Sequence, residues 1–282
     1  MMLTAFFRVV VMALLTVTLA SPWASAQDES ASAYLLDNAT PLTSIAGPRA
    51  NQDDLNPLKS IIGDAVVIEL FEHGSAGDGA TYDIGFQWLS GALERGHKFV
   101  YICLNNEGYM NTGIQRSSAT LLGAWTTTTP SGDARPGKPE WHKDMTKIIA
   151  AHNIPYVAQA AAHNWKDLMT KVRKAEQADG PAFINVLTPC DRGWRFEPEK
   201  TMEVSQLMVE AGLWPLYEVV DGKYKMTGAR QKKRPVMDAL LSQKRFSHIT
   251  KNADDATIAA IQAKVDEEWD ALQALCEMSA AE

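Results

Sequence analysis

Two short motifs, Gly77-Asp78-Gly79 and Asn105-Asn106, separated by the 25 residues 80–104, constrain this chain more than any other feature. Upstream of the triplet, Ala65 to Phe71 (AVVIELF) is short, β-branched and apolar throughout, the pattern of a strand buried on both faces of a parallel sheet. Phe99 to Leu104 (FVYICL), which ends directly before the asparagine pair, has the same character. Between them, Tyr82 to Arg95 places Ile84, Phe86, Trp88, Leu89, Ala92 and Leu93 close to helical spacing, and Gly96 supplies a stop. Strand, Gly-containing turn, helix and strand make a βαβ unit. Both motifs then open on one sheet edge, where the carboxyl ends of parallel strands gather ligands. The spacing predicts Asp78 and Asn106 side by side.

Glycines let a backbone approach an anion closely, and a helix start offers unpaired N–H groups to phosphate oxygens. An aspartate in that position would repel phosphate unless a hard cation, bound through carboxylate, amide and carbonyl oxygens, lay between them. Magnesium bridging a diphosphate satisfies this. Gly-Asp-Gly is also an ordinary turn sequence; the spaced asparagine pair moves the reading to the thiamine-diphosphate fingerprint.

The remaining pattern extends the α/β reading to a doubly wound parallel sheet. Trp141 to Ala151 is expected as a helix, Tyr156 to Ala160 as a strand, Asn164 to Gln177 as a helix capped by Asn164, and Ala182 to Leu187 as a strand. Pro198 to Ala211 reads as a helix, and Leu216 to Val220 with Lys223 to Met226 as a hairpin around Asp221-Gly222. Ala253 to Cys276 carries Ile258, Ile261, Val265, Trp269, Leu272 and Leu275 on one helical stripe. The 35 residues from Asn105 to Pro139 lack periodicity, and a loop that long in a compact domain is expected to be functional. The expected organisation is a signal-like segment 1–26, an irregular linker 27–60, the α/β domain 61–220 and a C-terminal hairpin and helical extension 221–282.

Three ordered blocks make a family likeness specific: Gly77-Asp-Gly-Ala-Thr-Tyr-Asp-Ile-Gly85, Asn106-Glu-Gly-Tyr-Met-Asn-Thr-Gly-Ile-Gln-Arg-Ser117 and Gly123-Ala-Trp-Thr-Thr-Thr-Thr-Pro130. They resemble the β subunit of pyruvate:ferredoxin oxidoreductase, within the 2-oxoacid:ferredoxin oxidoreductases. Pro189-Cys190-Asp-Arg-Gly-Trp194, Gly212-Leu-Trp-Pro-Leu-Tyr217 and Arg234-Pro-Val236 continue the likeness, which covers about residues 76–282. The resemblance implies oxidative decarboxylation of a 2-oxoacid, pyruvate above all, to an acyl-coenzyme A. It implies that Asp78, Asn106 and the carbonyl of Gly108 bind magnesium, that Gly77, Gly79, Asn111 and Thr112 face the diphosphate or substrate, and that Asn111 lies nearest bound pyruvate. The activating glutamate of the family comes from a partner α subunit, so Glu107 is not assigned that role. Ferredoxin and coenzyme A are implied as partners through the complex.

The family's β subunits also begin with a CxxC pair and a third cysteine that, with the counterpart of Cys190, hold an iron–sulfur cluster. Here Cys103, Cys190 and Cys276 are the only cysteines. Cys190 therefore stands as a ligand without its companions, and a second reading is a truncated, non-catalytic subunit that keeps the fold and the subunit interface. Arg8, the apolar stretch Val9 to Ala20 and Ala24-Ser25-Ala26 form a signal-peptide pattern too short for a membrane span. That pattern implies export, whereas the family resemblance implies the cytoplasm. A net charge of −7 and pI near 5.4 speak against nucleic acid as partner. Six scattered histidines show no metal-ligand spacing, with His73 nearest the triplet. Ser117-Ser118 lack the GxSxG elbow of a hydrolase. Most tryptophans fall at helix or strand positions and read as core; Trp194, between Arg192 and Arg195, is the one to test as a docking surface.

Overall fold

Among the described residues the main sheet has six strands, in the order β1 (His73–Gly77), β2 (Val100–Asn105), β6 (Ala182–Leu187), β5 (Tyr156–Ala161), β7 (Tyr217–Val220) and β8 (Lys223–Met226). A two-stranded ribbon, β3 (Ser131–Gly132) and β4 (Arg135–Pro136), stands apart. This computed structural model describes residues 73–132, 135–228, 234–251 and 255–281. The expected strand at Ala65 to Phe71, and the segments 1–26 and 27–60, lie outside them.

The four strands β1, β2, β6 and β5 are mutually parallel, and every residue of β5 and β6 is buried, which their near-continuous apolar sequences require. The hairpin β7–β8 adds an antiparallel edge to this sheet. Its turn residues Asp221 and Gly222 both have positive φ, 48° and 80°, the conformation that a two-residue hairpin loop demands. The fold is therefore α/β with a parallel-dominated, mixed sheet.

Helices cover both faces. On one lie α1 (Phe86–Glu94), α2 (Met145–Ala150) and α8 (Asp255–Ala281), whose Leu89, Leu93, Met145, Ile149 and Leu272 pack with Tyr101, Cys103, Val157 and Phe183 of the sheet. On the other lies α3 (Trp165–Gln177), whose Lys174 meets Glu218 of β7 at 2.6 Å. Asn164 caps α3, its Oδ1 accepting from the Asp167 N–H at 3.3 Å, as its position predicts. Helices α4 (Asp191–Trp194), α5 (Thr201–Glu210), α6 (Val236–Leu241) and α7 (Ser247–Thr250) build a second core with Leu187, Trp194, Met208, Leu240 and Phe246.

Several expectations are corrected. The strand that feeds the Gly-Asp-Gly triplet is His73–Gly77, a stretch read as a turn, because its small residues carry no apolar pattern and its pairing with β2 is entirely backbone. The helix expected from Tyr82 starts instead as a π-helical turn, Gly79–Ile84, before α1. The helix expected from Trp141 begins at Met145, where Asp144 caps it through a 3.0 Å bond from the Lys147 N–H. Trp194 is fully buried and cannot be a docking surface.

Candidate functional site

The register between β1 and β2 builds the site. Gly77 pairs with Leu104, so Asp78 and Asn105-Asn106 leave neighbouring parallel strands at the same level. The Asn106 N–H donates to Asp78 Oδ1 at 3.2 Å. The other carboxylate oxygen, Oδ2, accepts a 2.5 Å bond from the Ser117 hydroxyl. Asp78 is completely buried, and burial pushes its carboxyl up to about 7; the bonds from Ser117 and Asn106 pull the other way.

Three oxygen-bearing groups converge here. One end of the Asn106 carboxamide lies 3.0 Å from Asp78 Oδ1 and 2.9 Å from the Gly108 carbonyl oxygen. With its nitrogen at that end, the amide donates to both. Turned over, it presents a third oxygen to the same point, and such an acceptor-only cluster suits a hard cation. Of the sequence-predicted residues, Asp78, Asn106 and Gly108 are thus brought together.

Asn111 and Thr112 are not in this cluster. They form the exposed tip of a tight loop closed by Tyr109 N–H to the Gln115 carbonyl, 2.9 Å, and by Thr112 Oγ1 to Gln115 Oε1, 2.6 Å. Gly77 is exposed, and Gly79 is buried beneath the Tyr109 ring, whose hydroxyl donates to the Gly79 carbonyl at 2.9 Å. Cys190 caps α4, its Sγ accepting from the Gly193 N–H at 3.5 Å, and burial raises its pKa. His73 starts β1, at the opposite end of that strand from the site.

Sequence reasoning missed four contributors. Ser117 tethers Asp78, Tyr109 roofs Gly79, Trp194 donates from Nε1 to the Asn106 carbonyl at 2.7 Å, and Arg245 pairs with the buried Glu107 at 2.6 Å. Ser117 and Tyr109 sit inside a quoted block, but only folding assigns their partners. Glu107 is buried and ion-paired with Arg245.

Residues 74–186, which contain both halves of the site, match the family model described as thiamine pyrophosphate enzyme, C-terminal TPP binding domain. Over 191 residues the chain is 52% identical to pyruvate synthase subunit PorB of Methanocaldococcus jannaschii, covering 68% of this chain and 63% of that protein. It is 46% identical over 204 residues to the subunit of the same name from Thermotoga maritima, covering 72% and 63%. Ketoisovalerate oxidoreductase subunit VorB of Pyrococcus horikoshii is 44% identical over 207 residues, covering 73% and 65%. A solved 2-oxoglutarate:ferredoxin oxidoreductase from Magnetococcus marinus aligns over 46% of this chain and 50% of its own, at 22% identity and a TM-score of 0.38. The chain is thus similar to the PorB and VorB subunits of these oxidoreductases, and spans just under two thirds of the length of the curated relatives named here.

Proposed function

We propose that the chain is the thiamine-diphosphate-binding subunit of a pyruvate:ferredoxin oxidoreductase, and that Asp78, Asn106 and the Gly108 carbonyl would hold the magnesium ion that accompanies the diphosphate. The observation that carries this reading is the meeting of those three groups within 3.0 Å of the Asn106 amide. A single buried carboxylate with two neutral oxygens is a donor set that leaves the cation positive charge to share with a diphosphate. Gly77 keeps a side chain away from the phosphate approach, the missing side chain of Gly79 admits the Tyr109 ring, and Asn111 and Thr112, at the loop tip, are the groups offered to a 2-oxoacid.

Bound there, thiamine diphosphate supplies the nucleophile and electron sink for decarboxylation. The protein's part is to bind and orient. A partner α subunit completes the pocket, and coenzyme A and ferredoxin act through the complex, which places the protein in the cytoplasm. An iron–sulfur cluster does not fit these residues: it needs about four thiolates, and Cys103 lies in β2, Cys190 at the α4 cap and Cys276 in α8, all as free thiols. No electron-transfer step is assigned to them.

Calorimetric titration of thiamine diphosphate and magnesium into the chain with its α subunit tests the proposal. Magnesium-dependent binding that Asp78→Ala abolishes is expected. Binding of equal strength in Asp78→Ala would overturn the magnesium assignment, and turnover of 2-oxoisovalerate in preference to pyruvate would overturn the substrate.

A further inference from the structure

Beneath the oxygen cluster, the Asn106–Gly108 loop rests on a fully buried ion pair. Glu107 and Arg245, 138 residues apart, are each 2% exposed and meet at 2.6 Å. Glu107 has φ of 61°, a left-handed conformation that costs a non-glycine residue free energy and persists only when its surroundings enforce it. The enforcement is visible. The Glu107 N–H donates to Asn105 Oδ1 at 2.9 Å, its carbonyl accepts from Thr120 Oγ1 at 2.7 Å, and its carboxylate is held by Arg245 Nη2. The guanidinium of Arg245 lies over the Trp194 ring, 3.8 Å from its centroid, and the indole Nε1 of that same tryptophan donates to the Asn106 carbonyl at 2.7 Å. One Arg–Trp stack therefore holds both the peptide group between Asn106 and Glu107, through the Asn106 carbonyl, and the Glu107 side chain.

We propose that Arg245, acting through Glu107 and Trp194, is a positioning residue that aims the Asn106 amide and the Gly108 carbonyl at Asp78, and so sets how tightly the site holds its cation. The inference rests on the magnesium reading given above. Its electrostatic half is that Arg245 cancels the charge of Glu107, so the cation and diphosphate meet one uncompensated carboxylate, Asp78, instead of two. Stability alone does not account for the pair, since a buried ion pair replaced on both sides by apolar side chains of similar volume is often neutral or stabilising. What such a replacement removes is the aim of the loop.

The test uses the full chain with its α subunit, manganese as a paramagnetic substitute for magnesium, and thiamine diphosphate at saturation. Free manganese is followed by electron paramagnetic resonance, and the metal-free proteins are unfolded in urea in parallel. In the double variant Glu107→Met/Arg245→Met the urea midpoint is expected to stay near that of the wild type, while the manganese dissociation constant rises roughly tenfold to a hundredfold, the range for loss of a group that orients a metal ligand. Trp194→Phe keeps a buried ring and deletes only the N–H donor to Asn106; a rise of several-fold is expected, and this variant decides the matter if the double variant does not fold. Unchanged manganese affinity in a folded variant overturns the positioning role and leaves the magnesium reading intact. Absence of manganese binding by the wild-type complex overturns both.

Discussion

Ser117 reaches across 39 residues of sequence to donate a 2.5 Å hydrogen bond to Asp78 Oδ2. The bond occupies the carboxylate oxygen that faces away from Asn106 and leaves Oδ1 to the cluster. It also favours the ionised form of a group that burial raises to about 7. Ser117→Ala is expected to let the Asp78 carboxyl rise further, so that protons compete with the cation at neutral pH. Magnesium-dependent cofactor binding should weaken about tenfold at pH 7, about 1.4 kcal/mol, and recover when the titration is repeated at pH 8.5. Affinity that is equal to wild type at both values would remove Ser117 from the site.

His142 gives the fold a different pH dependence. Among the described residues its Nδ1 is buried without a hydrogen-bond partner, and burial lowers the ring pKa to about 4 from an ordinary 6.5. Between those values the unfolded chain binds a proton that the folded chain does not, so stability falls as pH falls from 6.5 toward 4. At pH 5 the loss is about 2 kcal/mol. Urea unfolding of wild type and His142→Phe at pH 7 and pH 5 isolates it, because other titrating groups cancel in the comparison. The difference between the two proteins should shift by about that amount in favour of the variant at pH 5.

Gly79 has no room for a side chain. A Cβ there would run into the Tyr109 ring, which is anchored on the other side by its hydroxyl bond to the Gly79 carbonyl. Gly79→Ala must expel the ring or bend the turn, at a cost of about 1–3 kcal/mol for forced packing. Thermal melting should show the loss, and isothermal titration should show cofactor binding reduced at least tenfold, since the same turn carries Asp78.

The terminal helix is held by its apolar stripe. Ile261, Val265, Trp269 and Leu272 are buried, and Leu272 packs into the cluster shared by β2, β6 and α1. Leu272→Ala is expected to destabilise the protein by about 2–5 kcal/mol, read as a lowered urea midpoint, without altering the magnesium dependence of cofactor binding in the folded protein.

Much of the sheet could be read from the chain because its buried strands write themselves as apolar runs: Ala182–Leu187 was placed to the residue, and Tyr156–Ala161 and Val100–Asn105 within one. β1 was not legible, since HGSAG pairs through its backbone alone and gives no hydrophobic signal. Asp78 and Asn106 could be grouped because their spacing follows from consecutive parallel strands, whereas Gly108 was implied only by the family resemblance. Ser117 and Arg245 could not, because their bonds to Asp78 and Glu107 span 39 and 138 residues and have no local signature. Trp194 was misjudged for a related reason: flanking arginines suggest a surface, whereas its ring lies under one guanidinium, that of Arg245, brought in from elsewhere.

β8, at one edge of the described sheet, turns one more contact into a safeguard. Tyr224 donates its backbone N–H to Ser279 Oγ at 2.9 Å, near the end of the long helix α8. An N–H on a sheet's last strand is the handle by which a second chain could add itself to the sheet. Here the helix takes that handle, and Lys223 and Lys225 place exposed charges on either side of it. The end of α8 thus acts as a guard against self-assembly, so a chain shortened before Ser279 would keep its cofactor loops and still be prone to precipitate.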